Sequence, residues 1–562
     1  MPTSSKTRRK AFTPASRVQQ GHRHDRRRAW TFVVLGIILL VSLFRALHLG
    51  FPLERDEGEF GYIAQEMLRG VPMYVSAYTQ KLPGTYLFYA LFLSVFGPSI
   101  TAIHFGMLLV NVVIMGLIFL TLRKTHGGPA GCIGALVFGV MALSPTVFGF
   151  AAHATFFVAL FAVAGLYALL HARERDHAAL FFVSGLCFGF AFLMKQSGVF
   201  FAPLAVVLLA FDHLTLKPRR LPRFALQALA LGTGALAPSL LTFAYYAAIG
   251  KFFLIWFWAF KFAGEFSRHL GAEVARTLLT ATRYVTTGFE PLWILAVVGL
   301  VVTLRDRALG KNRYLYAAFA AACVLSIVPG FYFTPHYYIS LLPAVALLVG
   351  ALAGAAERHR ARSGRGLAQV AGVWALAGLG LLTGVAKHGG FYFAKVSDAA
   401  EARIIYPGNL FAESVEIGEY LKSRTTPQDR IAILGSETQI FFYSQRRSAS
   451  RFVNTYFLTA DHPRNREMQR EMIRDIERAR PKYLLFAELP TSWLIRPNSP
   501  RDILEWIGTY PQGRYALEGI VELSREGSVL RWGAEARAQP ILPSSWYVWI
   551  WRRLDPSDAS GR

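Results

Sequence analysis

Charge is scarce in this sequence, and acidic charge is the scarcer kind: 17% of the 562 residues are charged, with 35 Asp and Glu against 60 Lys and Arg. Together with 53% hydrophobic residues, 14% aromatics and a mean hydropathy of +0.34, this excludes an ordinary soluble globular chain and indicates a polytopic membrane protein. The formal charge of +25 does not indicate nucleic acid, because the basic residues fall mostly in short runs between apolar stretches, where they set membrane orientation. Cysteine is almost absent. Cys132, Cys187 and Cys323 lie inside apolar runs without CxxC spacing, which excludes a disulfide framework and a cysteine zinc site. No internal repeat is visible.

Residues 1–29 are rich in Arg, Lys and His and lack apolar periodicity, so they read as a disordered basic cytoplasmic tail. The run from Trp30 to about Leu49 is long enough to cross a bilayer, and no small-residue cleavage site follows it. It is an anchor. Further spans are expected at 100–121, 129–149, 154–171, 178–194, 197–211, 224–247, 289–304, 314–332, 336–355 and 367–386, about eleven in all. Alternate loops carry Arg123-Lys124, Arg173 with Arg175, Lys217 to Arg220, Arg305 to Arg313 and Arg358 to Arg365, all on the side of the tail. An odd number of spans puts the outer loop 51–98 and the polar region 388–562 outside. In that region helix patterns at 411–423 and 464–480 alternate with strand patterns at 430–435 and 482–486, predicting a small α/β domain. Gly435-Ser436-Glu437 at a strand end is more often a turn than a ligand site.

The hydrophobic parts of the chain carry few acids, and four of these stand together in Glu54-Arg55-Asp56-Glu57-Gly58-Glu59-Phe60, just after the first span. From Phe60 the apolar positions Ile63, Ala64, Met67 and Leu68 follow helical spacing, which predicts an amphipathic helix lying along the membrane surface. Asp56 with Glu59 three residues on fits a capping box, the plain structural role for Asp56. Capping needs only one of the adjacent carboxylates Asp56 and Glu57, which leaves a candidate proton acceptor, with Arg55 available to balance the second charge. Lys81 precedes a second predicted helix, Pro83 to Phe96, and an ammonium at a helix start suits phosphate, although a lysine reaching to lipid head groups is the bland alternative.

Lys195-Gln196 follows the fifth apolar run at its outer end, where a charge near the bilayer costs about 2.5–3.5 kcal/mol unless it finds a partner or water. Phe331 to Tyr338 reads mainly as an aromatic belt, with His336 singled out as a phosphate donor or proton carrier. The aromatic segment Lys251 to Phe266, with Trp256, Trp258 and Lys261, fits a sugar or polyprenyl groove and a surface-lying helix equally well.

Arg55 through Ala64, Gln80-Lys81-Leu82-Pro83-Gly84, Leu193-Met194-Lys195-Gln196 and His336-Tyr337-Tyr338 together resemble the GT-C membrane glycosyltransferases of the protein O-mannosyltransferase and aminoarabinose-transferase type. The resemblance implies inverting transfer of a sugar from a polyprenyl-phosphate carrier to a lipid, glycan or protein acceptor at the outer face. It makes Asp56 the base and Glu57 its electrostatic neighbour or acceptor contact. Lys81, Lys195, His336 and Tyr337 fall to the donor phosphate, and Arg55, Tyr62, Gln196 and His153 to further substrate contacts. No nucleotide site or fixed metal is demanded, though a divalent cation is compatible. The sequence departs from many relatives in carrying Ala151-Ala152-His153 where a second acid occurs, and Gln80 where some have Glu. The rival class, a transporter or lipid flippase, would show ionisable residues deep within spans and an internal repeat. A non-catalytic subunit that binds the carrier lipid is the third reading; it would keep Lys81 and tolerate loss of Asp56.

Overall fold

The computed structural model describes residues 14–216, 221–266, 273–393, 396–524, 527–538, 540–542 and 545–554, with side chains from residue 28 onward. Residues 1–13 of the basic tail and the predicted inner loop Lys217 to Arg220 lie outside them. The first helix, α1 (Pro14–Ala46), begins well before the apolar run, so the stretch read as disordered to residue 29 is helical from Pro14. A span already nucleated in apolar surroundings propagates into a flank of good helix formers such as Arg, Gln and Ala.

Every other predicted span also coincides with a helix: Ile100–Thr125, Gly128–Met141, Ala154–Arg175, Ala178–Met194, Phe201–Phe211, Leu221–Ala248, Glu290–Arg305, Asn312–Ser326, Leu342–Ser363 and Leu367–Lys387. By length and composition six helices among the described residues can each cross a membrane, or seven if Val274–Thr286 and Glu290–Arg305, bent by 107°, count as one broken span. The remaining predicted spans are too short or too polar by that measure. Gly128–Met141 has 14 residues, about 21 Å of helix against a hydrocarbon core of about 30 Å. The protein is a multi-pass membrane protein. Its helices cross closely where glycine permits: a Cβ on Gly185 or Gly189 would stand 1.9 or 2.3 Å from the Leu231 or Ala235 carbonyl oxygen of the neighbouring helix.

The polar C-terminal region folds as expected into an α/β domain, with helices Phe411–Ser423 and Asn465–Ala479 at two predicted positions. Strands β1 (Arg430–Leu434), β2 (Arg447–Ser448), β3 (Tyr483–Glu488), β4 (Tyr515–Leu523), β5 (Ser528–Trp532) and β6 (Trp546–Arg553) form one sheet in the order β2-β1-β3-β6-β4-β5. β1 runs parallel to β2 and β3, and the other pairings are antiparallel.

Between the spans and this domain lies α2 (Arg55–Leu68), the acidic helix. It does not offer an apolar face to lipid as the periodicity suggested, because residues 57–66 are all buried in protein. Its polar faces have protein partners: Gln65 donates to the Phe442 carbonyl at 3.2 Å, and Glu66 pairs with Arg69 at 2.7 Å and Arg447 at 3.4 Å. Gly58 and Gly61 make this packing close, since a Cβ on either would meet the Gln439 backbone nitrogen at 2.3 Å or the Phe442 ring at 2.7 Å. The helix carrying the candidate base is thus clamped from both sides.

Candidate active site

α2 starts in a register that the sequence reading missed. Glu54, not Asp56, is the N-cap: its side chain accepts from Glu57 N at 3.0 Å, and the Glu57 carboxylate accepts from Glu54 N at 3.2 Å. The capping role proposed for Asp56 therefore falls to Glu54, and Asp56 in the first turn is free to face outward. It faces a cavity of about 180 Å³ lined by Asp56, Lys81, His153, Lys195, Gln196, His336 and Tyr337, with Phe60, Gln80, Ser197, Gly330 and Tyr332.

Lys81 donates to Asp56 Oδ1 at 2.9 Å and to Glu59 Oε1 at 3.1 Å, and its ammonium sits 4.6 Å from the Phe60 ring centroid. Glu59 is buried and also accepts from Tyr86 OH at 2.5 Å and Thr79 Oγ1 at 2.8 Å. It is the fixed counter-charge that holds Lys81 in place. Sequence reasoning saw Glu59 only as a cap partner, and its position one helical turn beyond Asp56 was the available signal. Burial alone would raise the Asp56 carboxyl, but Lys81 first, then His336 and His153, hold it well below the usual carboxylate range. Lys81 is held above its ordinary value: burial pulls it down, and Asp56 and Glu59 overcome that.

Across the cavity the Lys195 ammonium rests 3.3 Å from the Tyr337 ring centroid, a cation over an aromatic face. Gln196 donates to the Gln80 and Ala259 carbonyls at 2.7 and 3.3 Å, tying the loop that carries Lys81 to the aromatic segment 251–266. In that segment Trp258 and Phe262 are buried and Trp258 stacks on Tyr78 at 4.2 Å, whereas Phe253 and Trp256 remain exposed, so one side of the segment packs on the outer loop and the other lies at the surface. Burial lowers the Lys195 ammonium to about 7, despite the pull of Asp56. A depressed pKa on a cation means that its charge is present below about 7 and lost above it. Capture of an anionic substrate by the free protein, read as kcat/KM, should therefore fall as pH rises through about 7, and Lys195→Arg should extend the plateau upward; an unchanged profile in that variant would remove Lys195 from anion binding.

Three predicted contacts lie elsewhere. Glu57 is fully buried and points away from the cavity, accepting from Ala152 N at 2.5 Å and pairing with His104 Nε2 at 3.0 Å. Burial raises its carboxyl, and His104 brings it below the ordinary value. Its task is to lock α2 to helix Ile100–Thr125 and to the next loop. Arg55 donates to the Ser436 carbonyl at 2.6 Å and pairs with Glu437 at 3.1 Å, so the Gly435-Ser436-Glu437 turn holds the α/β domain to α2. Tyr62 OH accepts from Ser448 N at 3.0 Å and its ring packs on Phe441.

His153 stacks on His336 with centroids 4.2 Å apart, and neither ring nitrogen of buried His153 has a hydrogen-bond partner among the described residues. Asp56, His153 and His336 each offer a donor atom within 4.8 Å of the others, so these side chains fit one divalent cation where the sequence reading named no metal ligand.

Residues 80–241 match the family model described as dolichyl-phosphate-mannose-protein mannosyltransferase. The matched segment includes Lys81, His153, Lys195 and Gln196. No match emerges among curated proteins. Among solved structures, ArnT from Cupriavidus metallidurans bound to undecaprenyl phosphate is similar over 93% of this chain and 98% of its own, at 13% identity and a TM-score of 0.59. Its apo state is similar over 91% and 99%, at 14% identity and a TM-score of 0.56. The chain thus shares the fold of the two ArnT structures, and its residues 80–241 are similar to a mannosyltransferase family model.

Proposed function

We propose that the protein transfers a sugar from a polyprenyl-phosphate carrier to an acceptor, with inversion at the anomeric carbon, on the outer face of the bacterial-type inner membrane. The observation that carries this reading is the single cavity in which the Asp56 carboxylate faces Lys81, Lys195 and His336. An acceptor hydroxyl or amine gives its proton to Asp56 as its oxygen or nitrogen bonds to the anomeric carbon. The bond from that carbon to the phosphate oxygen breaks, and the carrier leaves as a polyprenyl phosphate whose new charge Lys81 and Lys195 stabilise.

The resting site is self-paired. A donor phosphate competes with Asp56 for the Lys81 ammonium, and as it wins, the Asp56 carboxyl moves up toward a range in which it can accept a proton. Glu59 keeps Lys81 in reach throughout. The ArnT structure bound to undecaprenyl phosphate supports the carrier class.

Purified protein given a polyprenyl-phosphate sugar and a mixed acceptor extract is expected to release free polyprenyl phosphate only when acceptor is present, and cells lacking the protein should accumulate the lipid-linked sugar. Movement of intact donor across vesicles without cleavage would instead place the protein in the transporter class. A reporter fused after His388 tests sidedness, with activity expected only outside the cytoplasm.

A further inference from the structure

A second donor cluster lies outside the candidate active site, where the turn after α1 meets helix Asp398–Ile405 at the approach to the α/β domain. His48 is buried and its ring stacks on Phe391 with centroids 4.4 Å apart and planes 6° from parallel. That stacking fixes where its nitrogens point. Nδ1 lies 3.8 Å from Asp398 Oδ1 and 3.9 Å from Glu401 Oε2, too far for hydrogen bonds, and it has no hydrogen-bond partner among the described residues. Asp398 and Glu401, three residues apart, share one face of their helix. Ser397 caps that helix through Ala400 N, so neither carboxylate is needed for the cap. Gly50 closes over the group: a Cβ there would lie 2.9 Å from Asp398 Oδ2.

An imidazolium paired with these carboxylates would draw one of them to about 2.8 Å. The observed separations instead leave a space between three donors, and the donor atoms all lie within 4.8 Å of one another. Donors around a tetrahedral zinc with bonds of about 2.0–2.2 Å stand about 3.4 Å apart, so each carboxylate needs to approach His48 Nδ1 by about half an ångström. One imidazole nitrogen with two carboxylates suits zinc better than magnesium or calcium, which favour all-oxygen shells. The Asp398 side chain is 29% exposed, which gives an ion a way in and a water the fourth position, while the Glu401 side chain is 8% exposed.

We infer that His48, Asp398 and Glu401 form a binding site for one zinc-type divalent cation, joining the end of the first span to the start of the α/β domain. Three residues after His48 the chain reaches Phe51, which is fully buried, and then Glu54, the cap of α2. A cation here fixes the approach of the helix that carries Asp56 without touching the substrate cavity. This inference does not depend on the reaction proposed above.

The full-length protein in detergent, stripped with chelator and titrated with zinc, tests it. Asp398→Asn and Glu401→Gln should each bind one zinc equivalent fewer than the wild type and lose a zinc-dependent rise in melting temperature. His153→Ala, which removes a donor from the other cluster, should keep that rise. Equal zinc equivalents in the wild type and both carboxylate variants would overturn the inference. For the unaltered protein, crystals soaked in zinc should give an anomalous peak about 2.1 Å from His48 Nδ1. A map with no peak between the three side chains would overturn it equally.

Discussion

Asp56→Asn is expected to lower the rate of sugar transfer about 10²- to 10⁴-fold, the range for loss of a positioned general base, with donor binding little changed. The substitution is nearly isosteric and leaves the fold its supports. Glu54 remains the cap, and Glu57 remains locked to Ala152 and His104. Lys81 keeps Glu59 as its counter-charge. What disappears is the carboxylate in the cavity that can take the acceptor's proton. Turnover and equilibrium donor binding should be measured on the same preparation. Turnover within a few-fold of the wild type would show that Asp56 is not the base, and a parallel loss of donor binding would make it a binding group.

The helices were legible because each apolar run has a length and a boundary that backbone physics fixes. The start of α2 was not. Glu54, Asp56 and Glu57 all stand where the helix begins, and two pairs, Glu54 with Glu57 and Asp56 with Glu59, have capping-box spacing. Choosing between them depends on where the chain leaves the first span, and buried Phe51 and Leu53 decide that. The different roles of Glu57, Arg55 and Tyr62 were equally hidden. Their partners, Ala152, Glu437 and Ser448, lie 95, 382 and 386 residues away, and no local pattern reports such contacts. By contrast Asp56, Lys81, Lys195, Gln196, His336 and Tyr337 meet in one cavity. Each was conspicuous as a polar group beside an apolar run, where an unpaired one is expensive. The later strands β4 to β6 escaped notice because they carry charged and aromatic residues on half-exposed faces, and only pairing makes them strands.

Lys81→Met is expected to abolish transfer, but by itself it would not say why. The ammonium has two tasks, since it neutralises buried Glu59 and faces the cavity beside Asp56. Removing one member of a buried pair costs about 3–5 kcal/mol because the other charge is stranded, so some loss of stability is expected in this variant. Adding Glu59→Gln removes the stranded charge, and the amide retains an acceptor for the Tyr86 and Thr79 hydroxyls that now donate to Glu59. The double variant should regain most of the melting temperature and still lose about 10²- to 10³-fold in kcat/KM for the donor, the effect of removing one group that stabilises developing negative charge. Glu59→Gln alone should transfer at a rate much nearer the wild type, because Asp56 still holds Lys81 in the cavity. If the double variant works as fast as Glu59→Gln alone, Lys81 is a structural counter-ion, and the leaving phosphate must be stabilised from the opposite wall, by Lys195.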